Sequence, residues 1–215
     1  MKNAVIFDMD GTLVDTRSVV IDALNQLAPE FDYDVLDGAD VRHLRNTRSI
    51  NFLKVLGIPL WRAPFLIRGV QNILSKKIDH MDLVPGMSEL LLAIKGKDVL
   101  LGVATSNSKK NADLFFRKFR GKYFDFRRSH IFPYWKHKAL RRIAKKYGVQ
   151  PDCTYYVGDE TRDVLSAKKA GVKVIAVTWG FNSREILETL HPDYIADSPA
   201  EILSYFEQKG WKLCT

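Results

Sequence analysis

The stretch VIFDMDGTLVDT, Val5 to Thr16, runs an apolar segment straight into two aspartates, Asp8 and Asp10, and brackets them with Gly11 and Thr12. An ionised carboxylate taken out of water is destabilising by several kcal/mol unless a positive charge or hydrogen-bond donors compensate it. A strand that ends in acidic residues therefore implies a partner for them elsewhere in the chain.

Further short, β-branched apolar runs bounded by turn residues follow: VLLGVAT at 99–105, TYYVG at 154–158 and VKVIAVT at 172–178. Between them lie segments of helical period such as GMSELLLAIKGK at 86–97 and KHKALRRIAKKYG at 136–148. This alternation predicts an α/β fold, a Rossmann-like parallel sheet with helices on both faces. One interval breaks it. From Arg17 to Asp82 the patterns are helical (RSVVIDALNQLA, RSINFLKVLG, APFLIRGVQNILSKKI) and are punctuated by Pro29, Gly38, the GIP of 57–59 and Pro64. The expected organisation is an α/β core of residues 1–16 and 83–215 interrupted by a small helical insert at 17–82, with LVPG at 83–86 marking the return. Near the C-terminus Ser198 is a candidate helix N-cap and Gly210 a candidate stop.

The chain has 215 residues, of which 46% are hydrophobic, ordinary for a core-forming protein and unlike a disordered one. No apolar run approaches the roughly 20 residues needed to span a bilayer. The N-terminus enters AVIFDMDG directly, too short and too acidic for a signal peptide, so a soluble cytoplasmic protein is expected, with no membrane partner. Cys153 and Cys214 lie far apart without ligand spacing and are expected as free thiols. Lysine plus arginine total 33 against 25 acidic residues, a net charge of +8. The basic residues are scattered through RHLRNTRS, FFRKFRGKY and HKALRRIAKKYG among apolar ones at helical spacing, which favours solvated helix faces and small anionic ligands over nucleic acid.

Doubly wound sheets place their ligand sites at the carboxyl ends of the strands. That rule gathers Asp8 and Asp10 after the first strand, Thr105, Ser106 and Asn107 after the second, and GDETRD, Gly158 to Asp163, after the third, with a lysine near Lys136 able to join them. Aspartates that only cap helices would not explain two acidic clusters at separate strand ends. Carboxylate oxygens with few nitrogen or sulfur ligands around them suit a divalent cation such as Mg2+, commonly shared with a phosphate.

In this order the segments DMDGT, a strand-terminal threonine, a lysine and GDETRDVLSAKKAGV resemble the four sequence motifs of the haloacid dehalogenase-like superfamily, and the resemblance spans nearly the whole chain. The insert at 17–82 resembles the small α-helical cap of its phosphoglycolate phosphatase-like branch. The resemblance implies that Asp8 is the nucleophile, forming an aspartyl phosphate, and that Asp10 is the general acid and base. Thr105 would hydrogen-bond the phosphoryl group, with Ser106 as a substitute, and Lys136 would contact both that group and Asp8. Asp8, Asp159 and the backbone carbonyl of Asp10 would hold Mg2+, with Asp163 orienting a ligand or Lys136 from just outside. Lys138 competes with Lys136, because the segment before GVQPD is shorter than the family's usual form. Glu160 stands where many relatives carry a small hydroxyl residue. Gly11 would let the amides of Met9 and Asp10 face the phosphate.

The presence of Asp10 disfavours a haloalkanoate dehalogenase. Phosphatase, sugar phosphomutase and pyrophosphatase share these core residues, and a non-catalytic anion- or nucleic-acid-binding protein on the same fold is the remaining alternative. The expected function is Mg2+-dependent hydrolysis of small phosphorylated metabolites by a monomer or homodimer. VRHLRNTRS reads as the cap loop facing the site, with Arg45 and Arg48, and less so His43, placed to meet a second anionic group of the substrate. Joints near 15–17 and 82–86 would let the cap close.

Overall fold

β1 (Asn3–Phe7) lies at the centre of a six-stranded, all-parallel sheet whose order is β3-β2-β1-β4-β5-β6. The other strands are β2 (Val99–Ala104), β3 (Phe126–Arg128), β4 (Thr154–Gly158), β5 (Lys173–Val177) and β6 (Tyr194–Ala196). The computed structural model describes residues 3–117, 123–211, 213 and 214. Part of the FFRKFRGKY segment read as a solvated face lies outside the described residues.

Val5 pairs with Leu101 on one side and Tyr155 on the other, and Phe7 with Val103 and Val157. Because β1 is covered on both faces, its residues are apolar in succession and do not alternate. Val5, Phe7, Leu101, Val103, Tyr155 and Val157 pack on one face with α5 (Met87–Lys95), α6 (Lys109–Arg117) and α10 (Pro199–Gln208). Ile6, Ala104, Tyr156, Val174 and Ala176 pack on the other with α7 (Lys136–Tyr147), α8 (Thr161–Ala170) and α9 (Arg184–Glu188).

Between β1 and β2 run α1 (Arg17–Phe31), α2 (Gly38–Arg45), α3 (Phe52–Val55) and α4 (Ala63–Leu74), joined in part by single 3-10 turns at Ser49–Asn51 and Leu60–Arg62. Their apolar sides form a separate cluster of Leu24, Phe31, Leu44, Leu56, Ile58 and Leu66. Among the described residues, no single helix is long and apolar enough to cross a membrane.

Several readings need correction. Pro29 does not end a helix but sits inside α1, which is closed three residues later by Asp32 in the left-handed conformation. Much of the VRHLRNTRS stretch is not a loop: 41–45 belongs to α2, so His43 is an exposed helical residue. Asp37 starts that helix by accepting hydrogen bonds from the amides of Ala39 and Asp40, while Asp40 accepts from the amide of Asp37. The cysteines are not free thiols. The chain after α10 returns beside the start of β4, and Cys153 and Cys214 form a disulfide across 61 residues of sequence. Separation along the chain carried no information about that approach. Ser198 caps α10 as expected, accepting from the amide of Glu201.

Candidate active site

The strand order reverses at β1, since the chain goes to β2 on one side and β4 on the other. The carboxyl ends of these three strands open the crevice in which such sheets bind ligands. Asp8 leaves β1, Thr105 leaves β2 and Asp159 leaves β4, all three buried.

Lys136, the first residue of α7, is delivered into this crevice by the 3-10 turn at Pro133–Trp135 and is fully buried. Its ammonium donates to Asp8 Oδ2 at 2.8 Å and to Asp163 Oδ1 at 2.7 Å. Lys138 instead holds its ammonium over the Trp135 ring. Asp8 Oδ1 accepts from the Met9 amide at 2.8 Å, so that amide faces the aspartate's own carboxylate. Asp163 Oδ2 accepts from the amide of Glu160, closing the start of α8. Asp159 accepts from Thr12 Oγ1 and from the Phe181 amide, each at 2.8 Å. Gly11 has a φ of +71°, and a β-carbon there would stand 2.2 Å from Asp159 Oδ2, so only glycine lets the β1 loop pass this carboxylate.

Burial and electrostatics divide these groups. Burial pushes the Asp8 carboxyl upward against the pull of Lys136. Asp159 is raised well above the usual carboxylate range by burial and by Glu160, Asp163 and Asp8. Burial lowers the Lys136 ammonium, but Asp163 and Asp8 more than offset it, and it stays firmly charged. Asp10 is pushed up to about 7, first by burial and then by the Asp8 charge. Its carboxylate accepts from Asn107 Nδ2 at 2.9 and 3.0 Å.

One carboxylate oxygen from each of Asp8, Asp159 and Asp163 lies within 4.8 Å of the others. All three donors are oxygens, and Lys136 is the one cation that the described ion pairs bring to them. An excess of buried negative charge with an oxygen-only donor set fits a hard divalent cation.

The other candidate residues are spread around this centre. Thr105 is buried, and its hydroxyl accepts from the Asn107 amide at 3.0 Å. The Ser106 carbonyl faces Gln71 of α4. Arg45 does not share a position with Arg48: its Nε donates to the Phe181 carbonyl at 3.0 Å, whereas Arg48 lines a cavity of about 130 Å³ with Ile50, Tyr134, His137, Thr161 and Arg162.

Residues that the sequence reading passed over complete the site. Asn182 is fully buried, and its Nδ2 donates to the carbonyls of Arg45 and Thr47, both at 3.0 Å. Its Oδ1 accepts from the amide of Thr161 at 2.8 Å and from Ser49 Oγ at 3.3 Å. Thr161 Oγ1 in turn accepts from the Ser49 amide at 2.8 Å. The signal available was WGFNS directly after β5, a further strand end at the same edge of the sheet.

A family model for haloacid dehalogenase-like hydrolases matches residues 5–177. The phosphoglycolate phosphatase of Synechococcus elongatus is 35% identical over 206 residues, covering 95% of this chain and 97% of that protein. The chain belongs to the haloacid dehalogenase-like hydrolases. Within that superfamily it falls in the phosphoglycolate phosphatase-like branch and is a phosphatase. It is also similar to the pyrophosphatase PpaX of Bacillus mycoides, at 22% identity over 94% of this chain and 95% of that protein. A haloacid dehalogenase-like family hydrolase of Streptococcus pneumoniae shares the fold, with a TM-score of 0.78 at 23% identity over 95% of this chain and 98% of that one. As a member of this superfamily the chain has a buried aspartate cluster suited to a metal ion, at the place where the family's motifs converge.

Proposed function

We propose that this phosphatase hydrolyses small phosphomonoesters of the phosphoglycolate type through an aspartyl phosphate on Asp8, with Mg2+ as its metal. The observation that carries the reading is the contrast between neighbouring carboxylates. Asp8 is held by a permanent ammonium and a backbone amide, while Asp10 faces a neutral amide and is pushed up to about 7. The first is suited to attack on phosphorus. The second is suited to carrying a proton near neutral pH.

In this scheme Asp8 Oδ attacks phosphorus and the ester P–O bond breaks. Asp10, protonated, gives its proton to the departing oxygen. The resulting carboxylate then takes a proton from the water that attacks the aspartyl phosphate, which restores both residues and releases phosphate. Lys136 and the Thr105 hydroxyl bind phosphoryl oxygens. Asp8, Asp159 and the backbone carbonyl of Asp10 hold Mg2+, with Asp163 steadying Lys136. The cation's contribution is to reduce repulsion between the phosphate and these carboxylates.

Residues 17–82 serve as the cap over the core of 1–16 and 83–215. The seam formed by Asn182 and Thr161 seats the cap segment 45–49 beside the site. Arg48, lining the adjoining cavity, is the better placed of the two arginines to meet a second anionic group, because Arg45 is anchored to Phe181. The likeness to a pyrophosphatase supports a second substrate class, in which the second anionic group is itself a phosphate.

The test is a screen with Mg2+ of phosphoglycolate, sugar phosphates, nucleotides and pyrophosphate, with Asp8→Asn as control. Preferred turnover of phosphoglycolate, lost in Asp8→Asn, is the expected result. Preference for pyrophosphate selects the second class, and turnover that survives Asp8→Asn overturns the mechanism.

A further inference from the structure

Asn111 is almost completely buried, with 1% of its surface exposed, on the third residue of α6. Its Oδ1 has no hydrogen-bond partner among the described residues. A buried acceptor left without a donor is destabilising, and an apolar side chain of similar shape would avoid the loss. What the asparagine provides in return is its Nδ2. That nitrogen donates in two directions, to the carbonyl of Gln71 in α4 at 2.9 Å and to Asn107 Oδ1 at 3.0 Å. Both targets are acceptors, so the amide of Asn111 has one workable orientation, and the orphaned oxygen is the consequence.

The second bond passes the constraint on. Asn107 Oδ1 also accepts from the Ser108 amide at 2.7 Å. With its oxygen engaged by two donors, Asn107 must turn Nδ2 the other way, where it meets both carboxylate oxygens of Asp10. A reversed Asn107 would aim an acceptor at the Asp10 carboxylate. The chain of contacts thus runs from a backbone carbonyl of α4, in the segment proposed as the cap, through two asparagines to Asp10.

We propose that Asn111 is a positioning residue for the proton-donating step: it fixes the amide orientation of Asn107, and so the aim of the Asp10 carboxyl, when α4 is seated on the core. This rests on the reading of Asp10 as general acid. Asn111 itself touches no reacting atom. Its removal should therefore slow the departure of leaving groups that need a proton and spare those that do not.

The experiment compares kcat/KM for phosphoglycolate, whose alkoxide leaves only with a proton, and 4-nitrophenyl phosphate, whose phenolate leaves without one. kcat/KM covers the steps up to phosphorylation of Asp8, so later hydrolysis does not enter it. Asn111→Leu keeps the bulk and removes the donors; Asn111→Ala is the second variant, and a cooperative thermal transition establishes that each is folded. The expected result is a loss of roughly three- to tenfold in kcat/KM toward phosphoglycolate, the weight of one net hydrogen bond. Toward 4-nitrophenyl phosphate the loss stays below about twofold. Equal losses on both esters, or none, overturn the positioning role while leaving the phosphatase reading intact. Failure of both variants to fold makes Asn111 structural and overturns it as well. A wild-type enzyme inert toward both esters with Mg2+ overturns the function reading, and the positioning role with it.

Discussion

Replacing Lys136 with methionine keeps the length of the side chain and removes its charge from a fully buried site. The ammonium lies 2.8 Å from Asp8 and 2.7 Å from Asp163, with the Tyr156 ring centroid 5.3 Å away. Without it two carboxylates remain buried with no cation between them. Breaking a buried pair from one side is destabilising by roughly 3–5 kcal/mol. At about 2–4 °C per kcal/mol for a chain of this size, the melting temperature should fall by roughly 6–20 °C. The assay is thermal and urea unfolding in EDTA, so that no cation takes the lysine's place. The effect also has a pH signature. Lys136 is raised above its usual 10.5 in the folded protein, so its contribution is whole below that value and is lost as pH rises through the folded one. In the variant, Asp8 loses the ammonium that opposes its burial and rises further, so the folded state holds a proton that the unfolded chain has released. The deficit relative to wild type should therefore shrink as pH falls from about 8 toward 5. Asp163→Asn in the Lys136→Met background should recover part of the loss, a coupling of about 0.5–3 kcal/mol. A deficit under about 1 kcal/mol at the higher pH, or strict additivity of the two substitutions, would refute the reasoning.

Mg2+ at one hundred times its Kd should add about 2.7 kcal/mol of stability, or roughly 5–11 °C in melting temperature, and Asp159→Asn should abolish the shift; an equal shift in that variant would remove Asp159 from the site. Asp10, raised to about 7, is fully protonated only at lower pH, so kcat/KM for an alkyl phosphate should decline as pH rises through an inflection at or below that value. A bound cation moves the inflection down, and the same inflection persisting in Asp10→Asn would count against its role. Gly180→Ala would bring a β-carbon to 2.2 Å from Asp159 Cβ, and should weaken Mg2+ binding by about 10–100-fold in a calorimetric titration. Unchanged affinity would show that the carboxylate tolerates displacement.

The parts of the fold that could be read from sequence are those where burial is complete. β1, β2, β4 and β5 carry apolar residues in succession because helices cover both faces of the sheet, and each was visible as a run. β3 and β6 are three-residue edge strands, FRR and YIA, too short to show any period. α2 was missed because its start depends on Asp37 and Asp40 acting as a reciprocal cap, where glutamate or glutamine is the usual third-position signal. Asp8, Lys136, Asp159 and Asp163 could be gathered in advance because strand ends share one edge of a doubly wound sheet. Asn182 had only the weak signal of WGFNS after a further strand end, and Asn111, inside α6, had none. A lone amide has no spacing rule, and its importance lies in where its two hydrogens and its oxygen point, which only the packed structure decides.

The same logic explains how two aspartates two residues apart support opposite chemistry in the proposed mechanism. Both lie beyond the end of β1, where the loop turns Asp8 to Lys136 and Asp10 to Asn107 of the β2 loop. Both are penalised by burial, but the ammonium opposes that for Asp8, while Asp10 meets a neutral amide and the repulsion of Asp8 itself. Environment, not identity, separates a nucleophile from an acid here. The separation depends on Asn107 showing Asp10 its nitrogen, and Asn107 is held by Asn111, whose other bond reaches α4. If the segment proposed as the cap leaves its seat, Asn111 would lose one acceptor, which would couple the aim of the proposed acid to closure through a hydrogen-bonded path of four residues: Asp10, Asn107, Asn111 and Gln71.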